Sequence, residues 1–259
     1  MITKTLDLSA AFDANFQVQA DLCLYNDSFE LVKAYKNDGQ GVLVKLPELE
    51  EEALKIRYDA YCTEHDFEPS NALGVESDEY DDRALMALVR HKPSNNFVAT
   101  VRFIPSTHQD FDFPTAKACD QVYSQFDVGD VNYTEISRLC ISYARMHDAD
   151  MSRDEGRMVF PALLAASFGV SRDLKASHWL GCMEAKLINK LNRFYNVSLD
   201  WVGETFEHHG KRNPFLTKWD TIDRSVHGRH TILRDIMDFE CARELTWNPA
   251  LPSFNLVPA

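Results

Sequence analysis

The sequence lacks several features that would each define a class of protein. It has no stretch of about 18 consecutive apolar residues, the length that crosses a membrane. Its opening segment, MITKTLDLSAAFDANF, lacks the apolar run that a signal peptide requires. We therefore expect a cytoplasmic protein without a transmembrane segment.

The sequence also lacks the cysteine spacings that indicate a bound metal or a disulfide framework. Six are present, without a CxxC pair, at Cys23, Cys62, Cys119, Cys140, Cys182 and Cys241. Such a distribution argues against a secreted disulfide scaffold and a structural zinc site. It predicts reduced thiols and no metal centre.

Positive charge is scarce as well. Lysine and arginine total 27 against 40 for aspartate and glutamate, which gives a formal charge of -13. A nucleic-acid-binding protein normally carries a basic face, so nucleic acid is not expected as a partner, although a local basic patch remains compatible with the composition. Hydrophobic residues make up 45% of the 259 residues, enough for a large core.

The periodicity predicts one α/β domain over residues 1–259, with its core at about residues 29–220 and an N-terminal extension and a C-terminal helix appended. Strands are expected at 29–35, 84–91, 97–106, 132–142, 177–183, 197–203 and 212–219. Helices are expected at 47–67, 156–173, 184–195 and 222–245, and residues 107–131 read as a lid or a short helix. The early hairpin predicts a central mixed, twisted sheet with helices on both faces, and not a doubly wound one.

The segment NYTEISRLCIS, residues 132–142, is typical of a buried strand but contains two charges, Glu135 and Arg138. A buried unpaired charge costs several kcal/mol, so each of them needs a partner or a task. Strict alternation would send residues three apart to opposite faces of the sheet. A β-bulge between them would bring both side chains to the same side.

Further charges interrupt apolar segments in the same half of the chain. Arg57 lies among the apolar positions of the first helix, Asp78 and Asp81 precede a strand, and Arg102 lies within FVATVRFI. Each alone also fits a solvated surface position. Together with Glu135 and Arg138, they could compensate one another in a single cleft.

The ordered set resembles the signature of the acyl-homoserine-lactone synthases. The matching positions are Arg57, Tyr61, Phe67, Asp78, Asp81, Arg102, Glu135 and Arg138. The resemblance covers roughly residues 50–215. It implies a GNAT-like acyltransferase fold and transfer of an acyl group from acyl carrier protein to the amine of an amino-acid derivative.

The sequence departs from those synthases in ways that favour related enzymes. Phe67 stands where they usually carry Trp, the chain is longer, and FEHHGKRNPF at 206–215 is additional. These features look more like N-acyl amino acid synthases and the acyltransferases of exosortase (PEP-CTERM) systems. That likeness implies a small amino-acid acceptor and a long-chain acyl group. The alternatives are a lactone synthase that uses S-adenosylmethionine, and a non-catalytic module that binds acyl carrier protein or lipid.

The resemblance also implies roles for individual residues. Glu135, beside Arg138, would accept the proton of the amine, and Arg102 would bind the acceptor's carboxylate. Arg57, Asp78 and Asp81 would form an ion-pair network that holds a lid. Substrate-binding positions would be Phe67, Tyr61, Leu139, Cys140 and Ile141. Cys140 itself is favoured as a packing residue over a nucleophile.

The acyl donor is expected to be carrier protein. The phosphate-cradling loop of GNAT enzymes is only half present at Arg153–Met158, where Met158 replaces a small residue. No cofactor is expected to be bound permanently, and acyl-phosphopantetheine on acyl carrier protein would be the co-substrate. A basic patch for docking is predicted from Lys186, Lys190, Arg193, Arg153 and Arg157. His208 and His209 are expected to be rim residues more than a base or a metal pair.

Overall fold

A seven-stranded mixed sheet forms the centre of the computed structural model, which describes residues 19–106, 112–119 and 131–246. The strands are β1 Phe29–Lys33, β2 Tyr35–Asn37, β3 Leu43–Lys45, β4 Leu85–His91, β5 Asn96–Pro105, β6 Tyr133–Ile141, β7 His178–Met183, β8 Phe206–Glu207 and β9 Lys211–Lys218. The order in the large sheet is β1-β4-β5-β6-β7-β9-β8, and β2 and β3 form a separate antiparallel pair. Within the described residues, only β6 and β7 pair in parallel.

Eight α-helices accompany these strands in the described residues, together with a short 3-10 helix at Asp81–Arg83. They are α1 at 19–28, α2 Pro47–Tyr58, α3 Pro114–Ala118, α4 Tyr143–Asp148, α5 Arg153–Asp173, α6 Ala185–Lys190, α7 Trp219–His227 and α8 Ile232–Thr246. A wider, π-helical turn continues α2 over Asp59–Glu64, and another continues α6 over Leu191–Tyr195. No described helix is both long and apolar enough to cross a membrane.

Helices cover both faces of the sheet, as the sequence predicts. Along β4, Ala87 and Val89 face the core that contains α5, and Met86 and Leu88 face the core that contains α2. This alternation follows from the two-residue period of a strand. A strand buried on both faces has no polar side, which is why the first five residues of β4, LMALV, are all apolar.

The predicted bulge in β6 is confirmed. Thr100 on β5 faces Cys140, but Arg102 faces Ser137, so two residues of β6 lie opposite Val101. Arg138 adopts a positive φ of 50°, a conformation that few residues with a side chain take up. The extra residue shifts the alternation of side chains between the two faces of the sheet, at a point between Glu135 and Cys140.

Two of the predicted elements are wrong. Residues 197–203 form no strand, since only Trp201 makes an isolated bridge, to Phe215. Pro214 in the neighbouring β9 has no N–H to donate, and Gly203 turns the chain away with a φ of 71°. The expected tail helix at 222–245 is two helices, α7 and α8, because α7 ends at Gly228 and Thr231 accepts a hydrogen bond from the N–H of Arg234 as α8 begins.

Two helix boundaries also differ from expectation. Helix α5 begins at Arg153 and not at 156, because Ser152 and Glu155 form a capping box in which each side chain bonds the other's backbone N–H. The predicted helix 47–67 is α-helical only as far as Tyr58 and then widens. In the 107–131 region the short helix α3 is present, and residues 107–111 and 120–130 lie outside the described part of the chain.

Candidate active site

A cleft opens where β6 and β7 separate. Their parallel pairing covers only Tyr133–Glu135 with His178–Leu180, and beyond it the two strands diverge. Gly181 lies at the point of separation, where an added Cβ would come within 2.8 Å of the Ile136 carbonyl oxygen. The resulting large cleft has a volume of about 500 Å³, and its apolar lining includes Ile136, Leu139, Ile141, Leu164, Leu187 and Val197.

Glu135 lines a smaller pocket, which shares Tyr61, Ile136 and Arg138 with the large cleft. It is only 2% exposed, and Thr115 at the start of α3 donates to it from its backbone N–H (3.1 Å) and its hydroxyl (3.0 Å). Burial raises the pKa of Glu135 to about 7, although the Thr115 bonds and the charge of Arg102 favour the carboxylate. The small pocket measures about 100 Å³, and it is lined by Tyr61, Thr115, Glu135, Arg138, Cys182, His208, His209 and Arg212, among others.

Arg57 anchors an ion-pair network beneath the bulge. Its guanidinium is fully buried and donates to Glu76 (2.5 Å) and Asp81 (2.7 Å). Desolvation works against ionised Glu76, but the hydrogen bond and charge of Arg57 outweigh it and lower the pKa of Glu76. The pKa of Asp81 is lowered in the same way. These groups therefore stay ionised as a unit.

Arg102 and Arg138 complete the network. Arg102 donates to Asp78 (2.6 Å), Asp81 (2.8 Å) and the Ser137 hydroxyl (3.0 Å). Arg138 approaches Glu76 (3.0 Å) and Asp78 (3.4 Å). Five of the six predicted charges thus share ion pairs, and Glu76 adds a second connection because it pairs with both Arg57 and Arg138.

The bulge gives Arg138 access to the site as well as to the network. Its guanidinium carbon lies 5.2 Å from the centre of the Tyr61 ring, a cation–π contact. Arg138 and Glu135 both line the small pocket, so the change of phase brings them to the same side, as predicted.

The structure places Arg102 away from the position that its predicted role would require. The acceptor's carboxylate was the expected partner, but Arg102 is fully buried, lines neither the large cleft nor the small pocket, and has Asp78 and Asp81 as counter-ions. The geometry favours a structural position in the network. The cationic residues that do line the small pocket are Arg138 and Arg212.

Aromatic and histidine side chains lie where the small pocket meets the large cleft: Tyr61, His208 and His209 line the small pocket, and Phe67 lines the large cleft. Phe67 is exposed, lies 5.4 Å from the ring of His209 and also contacts Tyr61. The ring of His209 is 3.3 Å from Glu68. Burial, followed by the charges of neighbouring groups, lowers the pKa of His208. His208 and His209 both line the small pocket. In the described residues, no group of three His, Cys, Asp or Glu side chains could hold a metal ion.

The thiols beside the site are poor nucleophiles. Burial raises the pKa of Cys140 to about 12 and that of Cys182 to about 11. Leu139, Cys140 and Ile141 all line the large cleft. Their contribution there is shape and apolar surface, together with the backbone of the bulged strand.

The N-terminus of α5, where the half-present phosphate loop lies, is already capped by a carboxylate. Glu155 accepts hydrogen bonds from the N–H (2.8 Å) and hydroxyl (2.7 Å) of Ser152 and from the Ser28 hydroxyl (3.0 Å). Burial opposes its ionisation, but these bonds, with His91, lower its pKa to about 2. A negative charge therefore lies where a diphosphate would need to bind.

The predicted basic patch is exposed but not uniform. Lys186 and Arg193 are exposed, and Lys190 lies with its ammonium nitrogen 4.4 Å from the centre of the Phe160 ring, which lines the large cleft. Arg153 is exposed at the start of α5. Arg157 is paired with Asp21 and Asp154, so its charge is already compensated.

Three of the residues at the site were missed by sequence reasoning. Glu76 lies in an acidic loop, GVESDEYDD, whose pattern does not distinguish carboxylates that turn inward from solvated ones. Thr115 lies on a five-residue helix without periodicity. Arg212 belongs to the additional segment at 206–215, in which the histidines drew attention instead.

The known proteins that this chain resembles have the same type of fold. Residues 56–151 match the family model of the acetyltransferase (GNAT) domain. The crystal structure of the acyl-homoserine-lactone synthase LasI matches with a TM-score of 0.56 at 11% identity, over 78% of this chain and 96% of that chain. The CoA-dependent acyl-homoserine lactone synthase MesI matches with a TM-score of 0.53 at 16% identity, over 81% and 95% of the two chains.

A further similarity is to FeeM, an N-acyl amino acid synthase from uncultured soil microbes, with a TM-score of 0.48 at 10% identity, over 82% of this chain and 100% of that chain. No curated protein matches. The chain therefore has a GNAT-type fold, which it shares with the lactone synthases.

Proposed function

We propose that this protein transfers a long-chain fatty acyl group from acyl carrier protein to the amine of an amino acid. The observation that carries the proposal is Glu135, a buried carboxyl group with a pKa of about 7 in a small pocket that shares lining residues, among them Ile136 and Arg138, with an apolar cleft. A general base is most effective when its pKa is near the working pH. Near neutrality, a large fraction of Glu135 is ready to take a proton.

The reaction needs proton removal, positioning and stabilisation of negative charge. Glu135 accepts one proton from the ammonium group of the acceptor, and the freed amine forms a bond to the thioester carbonyl carbon. The C–S bond then breaks, and the thiolate leaves with the second proton of the nitrogen. The products are an amide, a free thiol and a proton that Glu135 releases to water.

The shape and lining of the large cleft support an acyl substrate. Its volume of about 500 Å³ is bordered mostly by aliphatic and aromatic side chains, which bind an alkyl chain through the hydrophobic effect. The pantetheine arm would enter between the diverging β6 and β7. In that arrangement the thioester would lie near the bulge, next to the small pocket that contains Glu135.

Carrier protein is favoured over coenzyme A as donor by the cap on α5. The carboxylate of Glu155 would repel the diphosphate of coenzyme A at the helix N-terminus. A carrier protein presents its arm from its own surface. The exposed cations Lys186 and Arg193 follow or precede residues that line the cleft, Leu187 and Leu191, by one or two positions, and they suit an acidic partner.

A second candidate is an acyl-homoserine-lactone synthase that uses S-adenosylmethionine. The observation in its favour is that Arg57, Asp78, Asp81, Arg102 and Arg138, which resemble that family's signature, assemble into one network. Phe67 and the segment at 206–215 favour the amino-acid acceptor instead.

The test is a product assay. Purified protein is incubated with palmitoyl-acyl carrier protein and, in separate reactions, each of the common amino acids or S-adenosylmethionine. Mass spectrometry then searches for the N-acyl amino acid or the acyl lactone, and lipid extracts of overexpressing cells give a second readout. A lactone would establish the second candidate. Binding of the carrier without any amide would favour a non-catalytic module.

A further inference from the structure

We infer that Arg212, on β9, binds the carboxylate of the acceptor amino acid in the small pocket that contains Glu135. The inference rests on the proposed function and specifies the acceptor: a free amino acid, not an amine, amide or ester. It also gives a task to the additional segment at 206–215. The residue predicted for this contact, Arg102, lies outside the pocket.

The position of Arg212 fits this task. It lines both the large cleft and the small pocket, so it lies where the two substrates would meet. Cys182, the neighbour that connects it with Glu135, is close enough to both that its pKa responds to each of their charges. An amino acid with its ammonium group at Glu135 would extend its carboxylate along this side of the pocket.

The charges around the site leave Arg212 as the exchangeable cation. Among the described residues, Arg57, Arg102 and Arg138 are matched by the buried or half-buried carboxylates Glu76, Asp78 and Asp81. The counter-ion of Arg212 is Glu184, at 2.6 Å, whose side chain is 53% exposed. Arg212 is 16% exposed, but Glu184 can return to water, so a substrate carboxylate can replace Glu184 and keep the buried guanidinium paired.

The turn between β8 and β9 holds the guanidinium in place. Arg212 donates from Nε to the carbonyl oxygen of His208 (3.1 Å) and from a terminal nitrogen to that of His209 (2.7 Å). His209 has a positive φ of 49° and Gly210 one of 96°, which a tight turn requires. The HHG sequence thus orients Arg212, and a pre-oriented fork binds carboxylate well.

The experiment compares acids with their carboxamides. Wild-type protein and the variants Arg212→Gln and Arg212→Lys are assayed with palmitoyl-acyl carrier protein and with glycine, glycinamide, tyrosine and tyrosinamide. The matched control is Arg224→Gln, which removes an exposed arginine that bonds only its own helix in α7. Circular dichroism and thermal melts confirm that each variant is folded.

We expect wild-type protein to prefer an acid over its carboxamide by at least about tenfold in kcat/KM. Arg212→Gln should raise KM for the acid about 10- to 100-fold, the range of a charge-assisted hydrogen bond, and should leave the carboxamide unchanged. Arg212→Lys should fall between, because it keeps the charge but loses the fork. Arg224→Gln should behave as wild type.

The outcomes distinguish failure of this inference from failure of the proposed function on which it rests. If wild-type protein acylates carboxamides as readily as acids, or if KM for the acid is unchanged in a folded Arg212→Gln, the inference is wrong and the acyltransferase activity stands. If wild-type protein acylates none of the common amino acids in the product assay, the proposed function fails and the inference with it. Should Arg212→Gln not fold, the wild-type preference and Arg212→Lys decide the question.

Discussion

Two buried glutamates, Glu76 and Glu135, lie within the influence of the same arginine, Arg138, yet their pKa values move in opposite directions. Burial disfavours the ionised form of both. For Glu76, the direct bonds of Arg57 and Arg138 overcome it, and the pKa is lowered. Glu135 receives its hydrogen bonds from neutral Thr115, so burial dominates and the pKa rises to about 7.

The comparison teaches what separates a structural ion from a candidate base. Glu76 has two arginines as direct partners, and loss of its charge would leave both of them with less compensation. Glu135 is held in place by an uncharged residue, which fixes its geometry without fixing its protonation state. The bulge at Arg138 produces both conditions, because it directs the guanidinium toward Glu76 and Asp78.

The largest effect is expected from Glu135→Gln on activity. The amide keeps the shape of the side chain and cannot accept the proton, so the rate of acyl transfer should fall on the order of 10²–10⁴-fold. Wild-type kcat/KM should rise as the pH passes about 7, and the variant should lose that inflection. Stopped assays from pH 5.5 to 8.5 measure both. A rate within about threefold of wild type would remove Glu135 from the mechanism.

The matching experiment on the other glutamate concerns stability. Glu76→Gln leaves Arg57 and Arg138 without a full counter-charge, so we expect a loss of about 3–5 kcal/mol in the free energy of unfolding at pH 7. Urea denaturation measures it. The control, Glu51→Gln, breaks an exposed helical pair with Lys55 and should cost less than about 1 kcal/mol. Equal losses in the two variants would contradict the role given to the network.

The dependence of stability on pH should have opposite signs for the two residues. Glu135 has a raised pKa, so wild-type protein should lose stability relative to Glu135→Gln as pH rises from 4.5 to about 7, by about 3 kcal/mol in all. Glu76 has a lowered pKa, so wild-type protein should gain stability relative to Glu76→Gln as pH rises toward the ordinary carboxyl pKa of 4.5, and the gain should level off above that pH. Denaturation curves at pH 3.5, 4.5, 6 and 8 test this, with the slope for each residue taken in its own pH range. If the free energy of unfolding changed with pH in the same direction for both residues, Glu135 and Glu76 would have similar environments, which contradicts this prediction.

The sequence predicts the network better than the pocket, for a physical reason. Arg57, Arg102 and Glu135 interrupt apolar periodicities, and a charge in an apolar element demands compensation, so their position alone indicates a partner. Glu76, Thr115 and Arg212 lie in polar loops or short elements, where a charge or hydroxyl is ordinary. Only tertiary structure shows that these segments turn inward.

The elements that the sequence misplaces have a similar explanation. The alternation in VSLDWVG fits a strand, but pairing depends on the neighbour, and Pro214 limits the ladder that β9 can offer. The bulge could be predicted because two charges three residues apart on one strand are incompatible with strict alternation. Its consequence, a positive φ at Arg138, could not be located from the pattern alone.

The smallest effect is expected at the surface that would receive the acyl donor. Lys186→Glu combined with Arg193→Glu should raise KM for palmitoyl-acyl carrier protein about tenfold at low salt and much less at 0.5 M salt, because exposed charges are screened. Lys190 is left unchanged, since it packs on Phe160 in the large cleft and its loss would disturb acyl binding.

A small thioester, palmitoyl-pantetheine, distinguishes docking from damage to the cleft. Its KM should not change in the double variant, because it does not use the protein surface outside the cleft. The matched control reverses two exposed lysines elsewhere, Lys36→Glu and Lys92→Glu, and should leave both donors unaffected. If the double variant weakens both donors equally, or neither, the basic surface has no part in recognising the carrier protein. Steering would then have to come from contacts nearer the mouth of the cleft.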